Sequence, residues 1–421
     1  MLKKENTYEK LYASFQWHIP KYFNMGFDVC DKHAISCPDK PALIVANHGS
    51  KDLTYSFSQI RGLSNKLANI LVAEGIRQGD RVGIFLSQSV ETTISHVATW
   101  KLGAISVPLF TLFGEDALRF RLKDSGTSFL ITEIDQVHKL ETIIDELPDL
   151  KTVFIVGAGK DGKNFIDFWD CMSLAKDDFE PVRTLSEDPA FISYTSGTTG
   201  NPKGALHAHR TMFGHLTGME MFHDFFPQPG DLMWTPADWA WVGGLMNCLM
   251  ASWHHGVANV AYRAKKYDPE AALALMARYN IRNTFMPPTA LNLMRQVKNI
   301  RGYNTGLRSI AVAGEPMGAE LLDWGRENFG LTFNEFYGQT ECNLVVANCQ
   351  QIMAVKPAHM GRAAPGHRVE IIDTNGKVLE PNQEGEMAVL SPDPVMMLGY
   401  WNNQEATVEK YTKNWWRMGD A

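Results

Sequence analysis

Residues 194–204 read Tyr194-Thr195-Ser196-Gly197-Thr198-Thr199-Gly200-Asn201-Pro202-Lys203-Gly204, with three glycines, four Ser or Thr hydroxyls and a lysine. Ala190–Tyr194 just ahead is apolar and predicts a short buried strand, whereas the apolar spacing from Met212 to Phe222 predicts a helix behind. Glycines allow backbone N–H groups to converge on an anion, and the dipole of a following helix would add to that attraction. Hydroxyls and the lysine ammonium also favour phosphate. The stretch therefore indicates a phosphate-binding loop between a strand and a helix.

The loop does not have the spacing of a P-loop NTPase. That motif needs Gly-Lys-Ser/Thr at a fixed offset from its first glycine, and here Pro202 precedes Lys203. A flexible surface linker is the alternative, because runs of Gly, Ser and Thr are common in linkers. A linker seldom follows a buried strand directly, so the phosphate loop is the better interpretation.

Composition limits the classes of function. The chain has 421 residues, 45% hydrophobic and 21% charged, with a formal net charge of −7. These values indicate a globular protein of two or three structural units and give no basic surface for nucleic acid. Six cysteines without Cys-x-x-Cys spacing favour a reducing compartment, and no stretch predicts a secretory signal or membrane helix. We expect a cytoplasmic protein that neither spans a membrane nor binds nucleic acid.

Alternating strands and amphipathic helices predict an α/β fold with mostly parallel sheets flanked by helices. We place a first α/β subdomain at 1–185 and a second, carrying the phosphate loop, at 186–365. From about Gly366 short strands and Asn375-Gly376, which predicts a type I′ hairpin turn, indicate a small antiparallel β subdomain at 366–421.

Four further stretches carry candidate site residues. Gly314-Glu315-Pro316 follows one predicted strand and is expected to open a helix, and residues 335–341 (Glu-Phe-Tyr-Gly-Gln-Thr-Glu) follow another. In open α/β sheets the carboxyl ends of strands are where ligands bind. Residues 234–244 hold three tryptophans and two glycines suited to an apolar pocket, and Asp420 offers a carboxylate for ribose hydroxyls. Each of these alone is also compatible with an ordinary turn or core segment.

Taken together and in this order, these motifs resemble the adenylate-forming (AMP-binding) superfamily, in particular acyl-CoA synthetases similar to the medium-chain enzymes. The resemblance runs over essentially the whole chain. It implies an AMP-forming acid–thiol ligase that uses ATP, Mg²⁺ and coenzyme A. A carboxylate would attack the α-phosphorus of ATP to give acyl-AMP and pyrophosphate, and a thiol would then displace AMP.

The resemblance also implies roles for residues. Thr340, Glu341 and Lys203 would be catalytic, with Glu341 as the Mg²⁺ ligand and Thr340 bonded to the α-phosphate. The residues expected to bind the nucleotide are Thr195, Ser196, Gly197, Thr198, Thr199, Gly200, Lys203, Gly314, Glu315, Pro316, Glu335, Phe336, Tyr337, Gly338, Gln339, Thr340 and Asp420. The acyl pocket would be formed by Trp239, Trp241, Val242, Gly243, Ala313 and Gly338.

Three positions bear on the class of acid that the pocket would accept. Where acetyl-CoA synthetases carry a tryptophan, a valine and a threonine, this chain has Gly338, Ala313 and Gly243. All three changes are expected to enlarge the pocket, which favours a medium-chain acid over acetate. The tryptophans leave a benzoate-like acid open. Members of the superfamily that activate amino acids carry an aspartate at the position of Gly243, where it binds the α-amino group. Its absence here disfavours an amino-acid substrate, although Asp238 lies close enough in sequence to take that role.

Members of this superfamily carry a further C-terminal domain with a catalytic lysine after the motif that corresponds to Gly419-Asp420. We expect that domain to be absent from these 421 residues, and the chain to bind ATP and acyl-AMP but turn over poorly. A non-catalytic nucleotide-binding relative is the remaining alternative. The pairs His207/His209 and His254/His255 could suggest a metal, but no carboxylate or cysteine completes a set, and we expect them at a helix start and in the core.

Overall fold

The computed structural model describes residues 1–46, 51–157, 164–195, 200–264 and 266–420. Within these ranges the strands are, in chain order, β1 (Pro41–Ala46), β2 (Leu53–Ser56), β3 (Arg81–Phe85), β4 (Ile105–Pro108), β5 (Phe129–Glu133), β6 (Thr152–Val156), β7 (Phe165–Asp167), β8 (Pro189–Tyr194), β9 (Gly204–Ala208), β10 (Met233–Trp234), β11 (Asn259–Tyr262), β12 (Asn283–Met286), β13 (Ser309–Val312), β14 (Asn334–Tyr337), β15 (Val346–Ala347), β16 (Arg362–Ala363), β17 (Val369–Ile372), β18 (Glu386–Leu390), β19 (Gly399–Tyr400), β20 (Tyr411–Thr412) and β21 (Trp415–Arg417).

The α-helices are α1 (Tyr8–Ser14), α2 (Lys32–Ser36), α3 (Phe57–Ala73), α4 (Val90–Lys101), α5 (Glu115–Ser125), α6 (Val137–Glu141), α7 (Phe168–Leu174), α8 (Thr211–Phe222), α9 (Ala251–His254), α10 (Pro269–Arg278), α11 (Pro288–Met294), α12 (Ala319–Phe329) and α13 (Gln404–Glu409). Two π-helical segments, Phe27–Asp31 and Gly243–Met250, run directly into α2 and α9. Short 3₁₀ turns occupy Ile134–Gln136, Ile144–Glu146 and Ile300–Tyr303.

Three sheets organise the described chain, and they confirm the predicted mixture of parallel-rich and antiparallel sheets. One has nine strands in the order β16-β15-β14-β13-β12-β10-β11-β1-β2, and another has eight in the order β19-β9-β8-β4-β3-β5-β6-β7. In each, the interior pairs are parallel and antiparallel pairs lie towards the edges. The third sheet, β17-β18-β21-β20, is antiparallel throughout.

The two large sheets do not divide the chain at residue 185. β1 and β2 lie in the nine-stranded sheet beside β11, whereas β8 and β9 complete the eight-stranded sheet beside β4. A local hydrophobic pattern defines a strand but not the sheet that receives it, because pairing partners lie far apart in sequence. Membership in a sheet does not by itself define a subdomain, and the subdomain boundaries drawn from the sequence remain a prediction.

Local signals placed most helices correctly. Asp268 caps α10 by accepting from the backbone N–H groups of Glu270 and Ala271, and Pro269 occupies the first helical turn. Gly330 ends α12 in the left-handed region, at φ 67°. One turn was predicted wrongly: only Gly376 of the Asn-Gly pair has a positive φ, so the loop is not type I′. The Asp373 side chain accepts from the backbone N–H of Asn375 and holds the turn in its observed form.

The core surrounds both large sheets and is continuous from the first strands to α8 and the π-helical segment Gly243–Met250. His207 and His209 are completely buried, but His207 lies in strand β9 and not at the expected helix start. All six cysteines are unpaired thiols. No helix in the described ranges is both long enough and apolar enough to cross a lipid bilayer.

Candidate active site

The glycine-rich loop connects two antiparallel neighbours, β8 and β9. Its ends are tied together, because the Thr195 N–H donates to the Lys203 carbonyl at 2.9 Å. Of the predicted phosphate-binding residues, Ser196, Gly197, Thr198 and Thr199 lie outside the described residues. Gly200 has a φ of 109°, a conformation that L side chains rarely adopt.

The helix predicted from Met212 to Phe222 is confirmed as α8, but it does not follow the loop directly. β9 intervenes, and α8 begins only at Thr211. Residues Gly204–Ala208 form an antiparallel pair with β8, so the segment between the loop and α8 is a strand. The helix dipole therefore does not act at the loop, and an anion there would be held by backbone N–H groups, hydroxyls and Lys203.

A cavity of about 950 Å³ lies beside this loop, at the carboxyl ends of strands from both large sheets. β4, β8, β13 and β14 all end at it, as expected for a ligand site in an α/β fold. Its lining residues are Phe110, Leu112, Phe113, Arg121, Ser193, Tyr194, Ala240, Trp241, Val242, Gly243, Phe285, Ala313, Gly314, Glu315, Pro316, Glu335, Phe336, Tyr337, Gly338, Gln339, Thr340, Asn343, Met360 and Asp420. The four separate stretches found in the sequence thus meet in one cavity.

Asp420 is held against strand β14 by side-chain hydrogen bonds. The Tyr337 hydroxyl donates to Asp420 Oδ2, and Gln339 Nε2 donates to the same oxygen at 3.2 Å. Gln339 Nε2 also donates to the Met418 carbonyl. Burial, reinforced by the Asp420 carboxylate, raises the pKa of Tyr337, so its hydroxyl remains a donor. The arrangement places an aromatic ring and a carboxylate side by side, as an adenosine group requires.

Glu335 is a buried carboxylate at the same end of the cavity. Burial raises its pKa to about 7, and the backbone hydrogen bond at Met317 offsets only part of that effect. Its Oε2 is buried without a hydrogen-bond partner among the described residues. Such an orphan acceptor in a cavity is suited to a donor on a ligand, such as an exocyclic amine.

The Gly314-Glu315-Pro316 turn lines the cavity opposite these residues but does not open a helix. α12 starts at Ala319, several residues later. Gly314 has a φ of 97° with nothing within 4 Å of where its Cβ would lie. Glu315 Oε1 accepts from the Thr289 hydroxyl at 3.1 Å, which anchors the turn to α11.

Thr340 lines the cavity, and His207, which was not predicted as a site residue, holds its backbone in place. His207 Nε2 donates to the Thr340 carbonyl at 2.8 Å, and the His207 ring stacks on Phe191 at 4.6 Å. Burial lowers the pKa of His207 to about 3, so the imidazole is neutral. In the sequence, the available signal for His207 was its position three residues after the end of the glycine-rich loop.

Glu341, the predicted metal ligand, is buried beside the cavity without being part of its lining. Its Oε1 accepts from the Tyr400 hydroxyl at 2.5 Å, and Lys203 Nζ lies 5.2 Å from the centroid of the same Tyr400 ring. Tyr400 therefore brings two of the three predicted catalytic residues together. Burial and the neighbouring carboxylate raise the pKa of Tyr400, which keeps its proton available to Glu341.

The residues around Glu341 fit Mg²⁺ only if the nucleotide supplies most of the ligands. The described residues contain no group of three His, Cys, Asp or Glu side chains that could hold a metal by themselves. Mg²⁺ is commonly bound by one or two carboxylates together with substrate phosphates, and a hydrogen bond from a neighbour to the carboxylate orients it. Glu341 with Tyr400 matches that pattern.

The other end of the cavity is apolar and aromatic. Trp241 is 51% exposed, and its ring meets Phe110 edge-on at a centroid distance of 6.0 Å. Val242, Gly243 and Ala313 line the wall, with Phe285 facing Gly243. Trp239 does not belong to this pocket: it is 2% exposed and packs in the core. Only Ala240 lies between it and Trp241, and the backbone turns at this point, where the Trp241 N–H donates to the Asp238 carbonyl at 3.1 Å.

Gly338 lines the cavity, but its missing side chain does not enlarge it as expected. A Cβ at Gly338 would lie 2.0 Å from the backbone nitrogen of Leu344, so the backbone already fills that space. Leu344 has a φ of 71°, unusual for a residue with a branched side chain, which shows how tightly this turn is closed. A Cβ at Gly243, by contrast, would make only an ordinary contact of 3.4 Å with Phe285. Of these two glycines, only Gly243 leaves room for a side chain in the cavity wall.

Several lining residues were missed by the sequence interpretation. Phe110, Leu112 and Phe113 follow β4 directly, and this position at the end of a parallel strand was the available signal. Arg121 lies on α5, and nothing in its local pattern distinguishes it from the surface arginine Arg119. Asp238, considered for an amino-acid substrate, instead accepts from the Ala240 N–H at 2.8 Å, and burial raises its pKa to about 6.

Comparison with known proteins gives consistent matches over nearly the full chain. Acetyl-coenzyme A synthetase of Bacillus subtilis (strain 168) is 28% identical over 430 residues, covering 99% of this chain and 74% of that protein. Human acyl-coenzyme A synthetase ACSM4, mitochondrial, is 32% identical over 380 residues, covering 88% of this chain and 64% of that protein. A crystal structure of Brucella canis acyl-CoA synthetase superimposes with a TM-score of 0.90 at 25% identity, covering 99% of this chain and 77% of that one.

The chain thus spans between 64% and 74% of the length of these two relatives. The family model described as AMP-binding enzyme matches residues 30–401. The motifs gathered at the cavity lie within this range except for Asp420. The chain therefore belongs to the AMP-binding enzyme family, and the relatives compared above are named acetyl- and acyl-coenzyme A synthetases.

Proposed function

We propose that this protein activates a medium-chain carboxylic acid with ATP, forming acyl-AMP and pyrophosphate, and then transfers the acyl group to coenzyme A with release of AMP. The observation that supports this most is the single cavity that joins Tyr337, Gln339 and Asp420 at one end to Trp241 and Gly243 at the other. An adenosine group suits the polar end and an alkyl chain suits the apolar end.

The residues between the two ends suit the adenylation step. Thr340, fixed by His207, would bond the α-phosphate, while the glycine-rich loop and Lys203 would hold the β- and γ-phosphates. Glu341 would hold Mg²⁺, which neutralises phosphate charge when bound. Catalysis in such transfers comes chiefly from positioning and charge stabilisation. The acid carboxylate would approach the α-phosphorus from the side of Ala313 and Gly243.

A medium-chain acid is favoured over acetate because Gly243 and Ala313 leave the wall facing Phe285 open. An aryl acid is the second candidate, because Phe110, Trp241 and Phe285 supply aromatic faces on which a benzoate-like ring could stack. The cytoplasmic location and the absence of a nucleic-acid partner, expected from composition, remain predictions.

Acid-dependent ATP–pyrophosphate exchange, measured with the full-length protein, tests the proposal. We expect stimulation by octanoate or butyrate to exceed stimulation by acetate, and Thr340→Val to lower exchange far more than Thr340→Ser, which keeps the hydroxyl. Preference for acetate would contradict the medium-chain assignment, and preference for benzoate would favour the aryl acid. ATP binding without exchange under any acid would support the non-catalytic nucleotide-binding alternative.

A further inference from the structure

Arg121 is a buried cation in the wall of the active-site cavity. It lies on α5, is 7% exposed, and lines the cavity beside Tyr194. Its guanidinium carbon lies 4.1 Å from the centroid of the Phe113 ring and 5.6 Å from that of Tyr194. These contacts hold the planar group in place without neutralising its charge.

The hydrogen-bonding capacity of Arg121 is largely unused. Nη1 donates to the Ala117 carbonyl at 2.9 Å, and Nε is buried without a partner among the described residues. No carboxylate in the described ranges forms an ion pair with Arg121, since the nearby Asp124 accepts instead from the Tyr194 hydroxyl at 2.7 Å. Burial lowers the pKa of Arg121, yet a guanidinium stays charged at neutral pH.

Two other cations with little exposure, Lys101 and Arg308, are each paired with a carboxylate. Lys101, which is completely buried, lies 2.6 Å from Asp31, and Arg308 lies 2.7 Å from Asp231. An unpaired buried charge is costly, so such charges in proteins are normally paired with an opposite charge. Arg121 differs from Lys101 and Arg308 in facing the ligand cavity, where a ligand can provide the opposite charge.

The position of Arg121 favours phosphate as that ligand. The Tyr194 ring that Arg121 contacts also packs within 3.3 Å of the Cβ position of Gly204, at the other end of the glycine-rich loop. Arg121 thus lies near the base of the loop already expected to hold phosphate. Its forked donors match two oxygens of one phosphate group.

We propose that Arg121 is an anion-binding residue of this site that binds a phosphate group of a nucleotide substrate, either ATP or coenzyme A. The inference rests on the proposed function, because both substrates come from it. Arg121 would add a second cation to Lys203, whose Nζ lies 5.2 Å from the centroid of the Tyr400 ring.

Calorimetric binding of ATP with Mg²⁺, of inorganic pyrophosphate and of coenzyme A to wild type, Arg121→Gln and Arg121→Lys tests the proposal. Arg119→Gln is the matched control, since Arg119 lies on the same helix but pairs on the surface with Asp116 and Glu146. We expect Arg121→Gln to raise one or more of these dissociation constants about 10- to 100-fold, the range of a charge-assisted hydrogen-bonded contact. Arg121→Lys should recover part of the loss, and Arg119→Gln should match wild type.

The pattern of losses identifies the substrate. Weaker ATP and pyrophosphate binding assigns the phosphate to ATP, and weaker coenzyme A binding alone assigns it to coenzyme A. Unchanged binding of all three ligands by Arg121→Gln would overturn the inference, as would a loss confined to the carboxylic acid. If wild type binds none of the three, the proposed function itself fails.

The thermal midpoint separates binding from a structural role. Removing an unpaired buried charge should leave the midpoint of Arg121→Gln unchanged or raise it. A lowered midpoint with normal ligand affinities would show that Arg121 serves only to stabilise the fold through its contacts with Phe113 and Tyr194, and would refute the proposal.

Discussion

Under the proposed function, replacing Gly243 with valine should shift the preference of the enzyme from medium-chain acids to short acids. Gly243 lines the cavity at the start of the π-helical segment Gly243–Met250, and a Cβ there would lie 3.4 Å from Phe285 Cε1. The new side chain therefore fits the backbone, and its two methyl groups take space that the substrate would use. Each displaced methylene costs about 1–3 kcal/mol of binding, or roughly 10- to 200-fold.

The assay is calorimetric binding of two unreactive acyl-adenylate analogues, octanoyl- and propionyl-sulfamoyl adenosine. For Gly243→Val we expect the dissociation constant of the octanoyl analogue to rise about 10- to 200-fold, because at least one methylene is displaced. The propionyl analogue should bind as in wild type. Gly243→Ala should give a smaller change in the same direction.

Gly338→Ala is the contrasting variant. Its Cβ would lie 2.0 Å from the backbone of Leu344, so we expect overpacking that lowers the free energy of unfolding by about 1–3 kcal/mol, with no change in chain-length preference. Equal weakening of both analogues in Gly243→Val, or unchanged octanoyl binding, would refute the assignment of Gly243 to the acyl wall. A chain-length shift in Gly338→Ala would restore the interpretation drawn from the sequence.

Three further outcomes follow from single contacts. Tyr400→Phe removes the hydroxyl that orients Glu341, so we expect a roughly 10- to 100-fold higher Mg²⁺ requirement in ATP binding, and an unchanged requirement would contradict this role. Trp241→Ala should weaken analogue binding and leave the urea midpoint near wild type, whereas Trp239→Ala should cost about 3–5 kcal/mol of stability; the reverse pattern would place Trp239 in the pocket. Because burial lowers the pKa of His207 to about 3, the unfolded chain binds more protons below pH ~6.5, so urea stability should fall as the pH falls from 6.5 towards 4. His207→Gln should show a shallower fall over that window, and an identical slope would contradict the titration.

Sequence reasoning succeeded where the evidence is local. Strands 283–286, 309–312 and 152–156 can be recognised in the sequence itself, because short apolar runs between turn residues depend little on distant contacts. The cap of α10 was equally clear from Asp268 and Pro269. The strand β9, which follows the glycine-rich loop, was missed, because a five-residue apolar strand and the start of a helix look alike in sequence.

The sequence by itself determined which chemical groups are present and in what order: the loop at residues 194–204, the Gly-Glu-Pro turn, residues 335–341 and Asp420. Only the tertiary structure decided which of them share a cavity and which are core, because that depends on pairings between distant strands. It excluded Trp239 from the pocket and showed that the backbone of Leu344 fills the space beside Gly338. It also revealed Arg121, whose significance lies in the absence of an acidic partner among the described residues, a property that no local pattern records.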